Sequence, residues 1–290
     1  MHLLLPLLAS ILFVCGLILV KRAGDAGAST ITTLFFSNQA TAIVFSVLWW
    51  FGGEPIDVNR MWQPVMVAIL YLSGLTFTFL AISRGDVSIA TPVFGVKVLL
   101  VAMLVTTIGH TPLPNSVWYA AVMATAGIGL IQWTGRGDPK RVLITIALAV
   151  SAAMSYATFD VSVQTFSPDW GFGRLLPILF WCVGLLSMAL VPWVQWDRVR
   201  DPKIAKFLVP GVCLVAAQAV CIILTLAIFG DAARVNVVFA LRGLWGVTLA
   251  WWVAHRFGGN EAHLSRGVLF TRLAGAVLLT AAVVLVIVLG

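Results

Sequence analysis

Apolar runs of about 20 residues recur along the whole 290-residue chain, and short clusters of Gly, Pro and charge separate them. Runs of that length cross a hydrocarbon layer as helices, because a backbone in lipid must satisfy its own hydrogen bonds. The pattern predicts ten such helices, near 3–20, 31–51, 62–82, 86–107, 115–133, 142–162, 173–194, 207–228, 232–254 and 267–289. Separators such as "KRAGDAGAS", "FGGEPIDVNR", "GHTPLPNS" and "TGRGDPKR" are too short to hold a folded domain. Whatever chemistry the chain performs therefore lies in or beside the bilayer. The opening run, "MHLLLPLLASILFVCGLILVKR", has no charged start and is long for a signal peptide, so it reads as the first membrane helix.

Composition agrees: 61% of residues are hydrophobic and only 10% charged, with a mean hydropathy of +1.03. A soluble domain could not hide that much apolar surface. The net charge of +7 would suggest nucleic acid in a soluble protein. Here the bases sort by loop instead. Loops after the odd-numbered helices hold Lys21, Arg22, Arg84, Arg136, Lys140, Arg141, Arg198, Arg200, Lys203, Lys206, Arg256 and Arg266, whereas the alternate loops hold Arg60, Arg174 and Arg234. The positive-inside rule then puts the basic loops in the cytoplasm and both tails outside, and leaves no basic face for nucleic acid. The four cysteines, Cys15, Cys182, Cys213 and Cys221, all fall within spans and form neither a disulfide framework nor a metal-type spacing. Most of the twelve tryptophans lie at span ends as an interfacial belt, with Trp181 and Trp245 deeper.

Three bases fall inside spans: Lys97, Arg242 and Arg272. The first two are related. Residues 85–110, "GDVSIATPVFGVKVLLVAMLVTTIGH", lie without gaps over residues 230–255, "GDAARVNVVFALRGLWGVTLAWWVAH". At this offset of 145 residues, Gly85, Asp86, Val93, Phe94, Leu99, Leu104 and His110 meet identical partners, and Lys97 falls on Arg242. The offset is half the chain and maps the fourth span onto the ninth. Five spans per repeat is an odd number, so the second repeat threads the membrane in the opposite sense. The expected fold is an all-α membrane protein of ten transmembrane helices in two inverted five-helix repeats, residues 1–136 and 137–290, with a site near the midplane.

Each of the two bases lies 11 positions after its repeat's Asp, about 16 Å along a helix and roughly half the hydrocarbon thickness. Insertion scales charge a central Lys or Arg about 2.5–3.5 kcal/mol, so a negative partner is expected: a carboxylate, a ligand or water in a cavity. Asp160, which ends "SYATFD" in the sixth span, is the protein's own candidate; it is placed near a membrane surface, with a gating or coupling role. Lys97 and Arg242 are expected to bind substrate. Trp245 shares a helix face with Arg242, and Asn236, its repeat counterpart Thr91, and Gln218 in the eighth span are further polar candidates. Asn38 and Gln39 in the second span have similar weight. Each of these could as readily bond a neighbouring helix. Pro92 interrupts the ladder about a turn before Lys97, a kink suited to gating. The Gly-Asp pairs at 85–86 and 230–231 need no role beyond capping.

Ten short-looped spans in two halves, with "GD…TPVF" entering the fourth, resemble the drug/metabolite transporter superfamily in its EamA-like branch. The resemblance implies a ten-helix secondary carrier working by alternating access, with a cavity lined by the third, fourth, eighth and ninth helices. Its sugar-phosphate and nucleotide-sugar branches place basic residues in the fourth and ninth helices; Lys97 and Arg242 look like these, and "FALRG" at 239–243 is similar to a "GALNK"-type segment. The chain departs from the family where "IGHTPLP" stands in place of a "GE" after the fourth span.

The function expected is thus a secondary transporter of a small anionic organic metabolite in a membrane such as the bacterial inner membrane, crossed many times. A carrier of neutral or zwitterionic solutes such as amino acids is the alternative, followed by a channel or an intramembrane enzyme. Enzymatic chemistry has little to stand on: His2, His110, His255 and His263 lie at span ends or in loops, and HExxH, GxSxG and paired-carboxylate patterns are absent. No catalytic residue, metal or cofactor is expected. The partners are the solute and the lipid bilayer, with no nucleic acid; a homodimer is a candidate assembly.

Overall fold

The computed structural model describes residues 2–84, 90, 93–132, 139–245 and 266–289. All regular structure among them is helical: α1 (Leu4–Asp25), α2 (Thr30–Ser46), α3 (Trp62–Arg84), α4 (Lys97–Thr107), α5 (Asn115–Gln132), α6 (Pro139–Trp170), α7 (Phe172–Ser187), α8 (Pro202–Phe229), α9 (Ala232–Phe239) and α10 (Arg266–Leu289). Single turns of helix, at Val47–Phe51, Val58–Arg60, Met188–Trp193 and Trp196–Val199, extend or join them. Six stretches are long and apolar enough to cross a membrane: Leu4–Asp25, Thr30–Phe51, Val58–Ile82, Val142–Trp170, Phe172–Trp193 and Pro202–Phe229. Their most apolar windows are only 22–50% buried inside the protein. In water such exposure of Leu, Ile and Val would drive aggregation. In lipid it is the outer wall of an integral, multi-pass membrane protein.

Local sequence sets the helix ends. Ser29 accepts the Thr32 amide at the start of α2. Asp201 accepts the Lys203 amide at the start of α8, with Pro202 in the first turn, where its missing N–H costs nothing. Gly230 closes α8 in the left-handed conformation, at φ 60°. Asp231 then caps α9 by accepting the Arg234 amide, the role expected of that Gly-Asp pair. The other pair, Gly85 and Asp86, lies outside the described residues.

Two compact units form. The first comprises Met1–Ile69 and Val163–Gly230, the second Leu70–Ser162 and Asp231–Gly290. Each therefore draws on both halves of the sequence. In the first unit α1 packs along α8, and α2 packs on α7 and α8. Ala23, Ile204, Leu208 and Val212 make a core there, Phe45 stacks on Phe180, and the buried Trp170 indole donates to Gln63 Oε1 at 2.7 Å. Gln39, a site candidate, is occupied: its amide donates to the Gly184 carbonyl and to Ser187 Oγ, tying α2 to α7.

In the second unit α5 packs along α10, α4 packs on α5 and α9, and α9 also meets α5 and α10. The α5–α10 crossing depends on glycine. A Cβ at Gly275 would lie 2.7 Å from the Gly127 carbonyl oxygen and 2.9 Å from the Ile131 amide nitrogen. Only small residues let two helix backbones approach so closely.

Candidate functional site

The sixth helix is longer than its hydropathy suggests. It runs to Trp170 rather than ending near 162, and Gly171, at φ 71°, turns the chain into α7. Asp160 is therefore not near a helix end. Ten residues follow it within the helix, about 15 Å of rise, and its exposure is 3%. Asp160 thus lies well inside α6 rather than at its end.

There Asp160 meets Lys97. The Lys97 Nζ is 2.8 Å from Asp160 Oδ2, with side-chain exposures of 14% and 4%. The same oxygen accepts from Asn236 Nδ2 at 2.7 Å, and that nitrogen also donates to the Ala232 carbonyl on its own helix at 2.9 Å. One carboxylate oxygen thus joins α4, α6 and α9 inside the second unit. Charge-assisted bonds of this length to a desolvated carboxylate are among the stronger polar contacts available to a protein.

A second cation attends the same carboxylate. Arg242 is within electrostatic reach of Asp160 and of Lys97, and its guanidinium lies over the Phe239 ring, 4.4 Å from the centroid. Lys97 Nζ stands 5.7 Å from the Tyr156 ring centroid. Tyr156 meets Tyr71 edge-on at 6.3 Å, and Tyr71 in turn lies 5.5 Å from Phe159. Aromatic faces thus flank both bases and offer favourable quadrupoles while excluding water. Among the described residues the cluster brings together two basic side chains and one carboxylate.

The backbone brings both bases in by the same device. Before Lys97 the helix tightens at Gly95–Val96, with Val96 N–H donating to Val93 O and Val98 N–H to Gly95 O. Before Arg242 it tightens at Ala240–Leu241, with Leu241 N–H donating to Val238 O and Gly243 N–H to Ala240 O. Each bond has its counterpart 145 residues away. These three-residue bonds narrow the turn and rotate the next residues about the helix axis, which re-aims the side chain immediately after.

Of the other candidates, Trp245 continues the helical segment after the tightened turn, its amide donating to Leu241 O, and is half-buried. Gln218 is in the first unit, where its Oε1 is buried with no hydrogen-bond partner. Thr91 and Pro92 lie outside the described residues. Sequence reasoning did not single out Tyr71, Tyr156 or Phe159. A signal was present for Tyr156, which precedes Asp160 by four positions and so shares its helix face. No group of three or more metal-ligating side chains occurs among the described residues.

The fold is shared with a solved crystal structure of a protein that is 14% identical, covering 100% of this chain and 99% of that one at a TM-score of 0.68. No curated protein matches the sequence. Residues 1–133, a little under half of the chain, match the sequence model of the EamA-like transporter family, a likeness in keeping with the drug/metabolite transporter superfamily.

Proposed function

We propose that the protein is a secondary transporter of a small organic anion, working by alternating access through ten helices in two inverted repeats, residues 1–136 and 137–290. The observation that carries this reading is the cluster of Lys97 and Arg242 around the single carboxylate of Asp160. Each buried cation carries a desolvation cost that an anionic solute entering beside it would offset.

The repeat has support beyond sequence likeness. The paired tightened turns fall 145 residues apart. Packing also follows an exchange of halves: α4 on α9, α5 on α10 and α2 on α7 map onto themselves, and α4 on α5 maps onto α9 on α10. The α1–α8 pair maps onto α6 and α3, where a Cβ at Gly74 would press within 2.8 Å of the Tyr156 ring.

A zwitterionic solute is a second reading, favoured by the opposite charges of Lys97 and Asp160 side by side. Counterflow in proteoliposomes with radiolabelled anionic, zwitterionic and cationic solutes separates the two. Accelerated exchange of anions alone, lost in Arg242→Met, is the expected result. Exchange of amino acids but not of simple anions would replace the anion reading, and unitary currents would indicate a channel.

A further inference from the structure

We infer that the end of α1 and the start of α8 hold an anionic phospholipid, its phosphodiester bound between Arg22 and Lys206 beside the ring of Phe207. The inference is independent of the transported solute and concerns the outer wall of the first unit.

Antiparallel packing makes the corner. Ala23, near the end of α1, shares a core with Ile204, Leu208 and Val212, and a Cβ at Gly211 would lie 3.1 Å from the Val20 amide nitrogen. The last turn of α1 is thus pressed against the first turns of α8. Phe207, partly buried, packs on that core, and its ring gathers two cations. Lys206 Nζ lies 4.8 Å from the ring centroid, and the Arg22 guanidinium 5.9 Å from the same centroid. The two charges are no farther apart than those distances together, and their flexible stems let one phosphate meet both. Arg198 reaches the same corner, its Nη1 3.8 Å from where a Gly27 Cβ would stand.

Charge and depth select the ligand. Residues 21–25 and 197–206 carry six bases against three acids, and one of those acids, Asp201, is engaged in capping the Lys203 amide. Lys206 makes no ion pair among the described residues. It is exposed and shares a helix face with Val209, 53% exposed, and with Cys213, also exposed. In lipid such a face meets acyl chains, so the ammonium at its end stands at headgroup level. Trp196, edge-on to Phe35 and Phe36, marks the same level. Two cations at one ring repel each other. A phosphodiester offsets that repulsion while its acyl chains follow the apolar face. Bases at this depth favour an anionic lipid, whereas a choline headgroup adds a cation to a corner already rich in them.

Native mass spectrometry of the purified full chain in detergent tests the site. Lipid adducts are titrated with phosphatidylglycerol, with phosphatidylcholine of the same acyl chains, and with phosphatidylglycerol in the presence of inorganic phosphate. Phosphatidylglycerol should bind about fivefold or more tightly than phosphatidylcholine. Lys206→Gln should weaken phosphatidylglycerol about fivefold, the effect of one base at an anionic surface, and leave phosphatidylcholine unchanged. Lys206→Arg should restore it. Lys140→Gln, which removes an exposed base from the second unit, should bind as the wild-type protein does.

Equal affinity for the two lipids would overturn the assignment. An equal loss in Lys140→Gln and Lys206→Gln would also do so, because it would reveal diffuse surface charge in place of a site. A Lys206→Gln protein that loses both lipids alike would show a damaged surface and no headgroup recognition. Displacement of phosphatidylglycerol by millimolar inorganic phosphate would give the corner to a free anion instead of a lipid.

Discussion

The Lys97–Asp160 pair can be weighed by a double-mutant cycle. At 2.8 Å and an effective dielectric near 20, the gross attraction is roughly 6 kcal/mol. Most of it is offset by the cost of stripping water from two ions. The net value of the intact pair is therefore small, whereas removing one member strands the other. Breaking a buried pair costs about 3–5 kcal/mol. Asp160→Asn keeps the shape and leaves Lys97 charged among Tyr156 and apolar side chains, so it should fall within that range. Lys97→Met should cost less, about 3 kcal/mol or below, because Asn236 still donates to the carboxylate.

The double variant, Lys97→Met with Asp160→Asn, removes both charges and keeps the Asn236 site filled by a polar group. It should regain most of the loss and lie within about 2 kcal/mol of the wild-type protein. Unfolding in mixed micelles by added sodium dodecyl sulfate, followed by tryptophan fluorescence, measures all four corners. A double variant as unstable as the sum of the single losses, to within about 0.5 kcal/mol, would show that the two side chains do not sense each other and would refute the pairing.

Two further outcomes check the fold around the site. Gly275→Ala should destabilise by about 1–3 kcal/mol, because its Cβ would meet the Gly127 and Ile131 backbones; Gly129→Ala, with no atom within 4 Å, should be neutral or slightly stabilising in the same unfolding titration. A single cysteine at position 203, in a cysteine-free background, should react with membrane-impermeant maleimide only in inside-out vesicles; labelling in intact cells would reverse the orientation taken from loop charge.

How far the sequence discloses the site is clearest in the sixth helix. Hydropathy falls after Ser162, through Gln164, Ser167, Pro168 and Asp169, and so suggests an end. Yet hydropathy reports where lipid ends, not where a helix ends. The backbone bonds continue into the interfacial layer until Gly171 adopts a positive φ, and the true stop signal was that glycine. Lys97, Arg242 and Asn236 were legible because a charge or amide inside an apolar run announces its own cost, and because the repeat supplied a second reading of the same position. The tightened turns were not legible. Nothing in the sequence of Gly95–Val96 or Ala240–Leu241 announces a change in hydrogen-bond spacing, and a tertiary contact reaches the first of them. Thr125 Oγ, for example, donates to the Gly95 carbonyl from α5 at 3.4 Å.

The sequence repeat is also informative where it fails. Displaced by 145 residues, Lys97 finds Arg242, but Asp160 finds Cys15, which carries no carboxylate. Had the acid been duplicated along with the base, each cation would come with its own carboxylate, and the charges would cancel in pairs. An incoming anion would then have to break an ion pair at every step of binding, at a cost near that of the mutations above. With the acid in one repeat only, the Lys97–Asp160 bond ties α4 to α6, whereas the Arg242 guanidinium lies over the Phe239 ring. Under the proposed reading, that broken symmetry lets two nearly equivalent cations do different work: Lys97 ties the helices together through its ion pair, and Arg242 supplies charge that draws the solute.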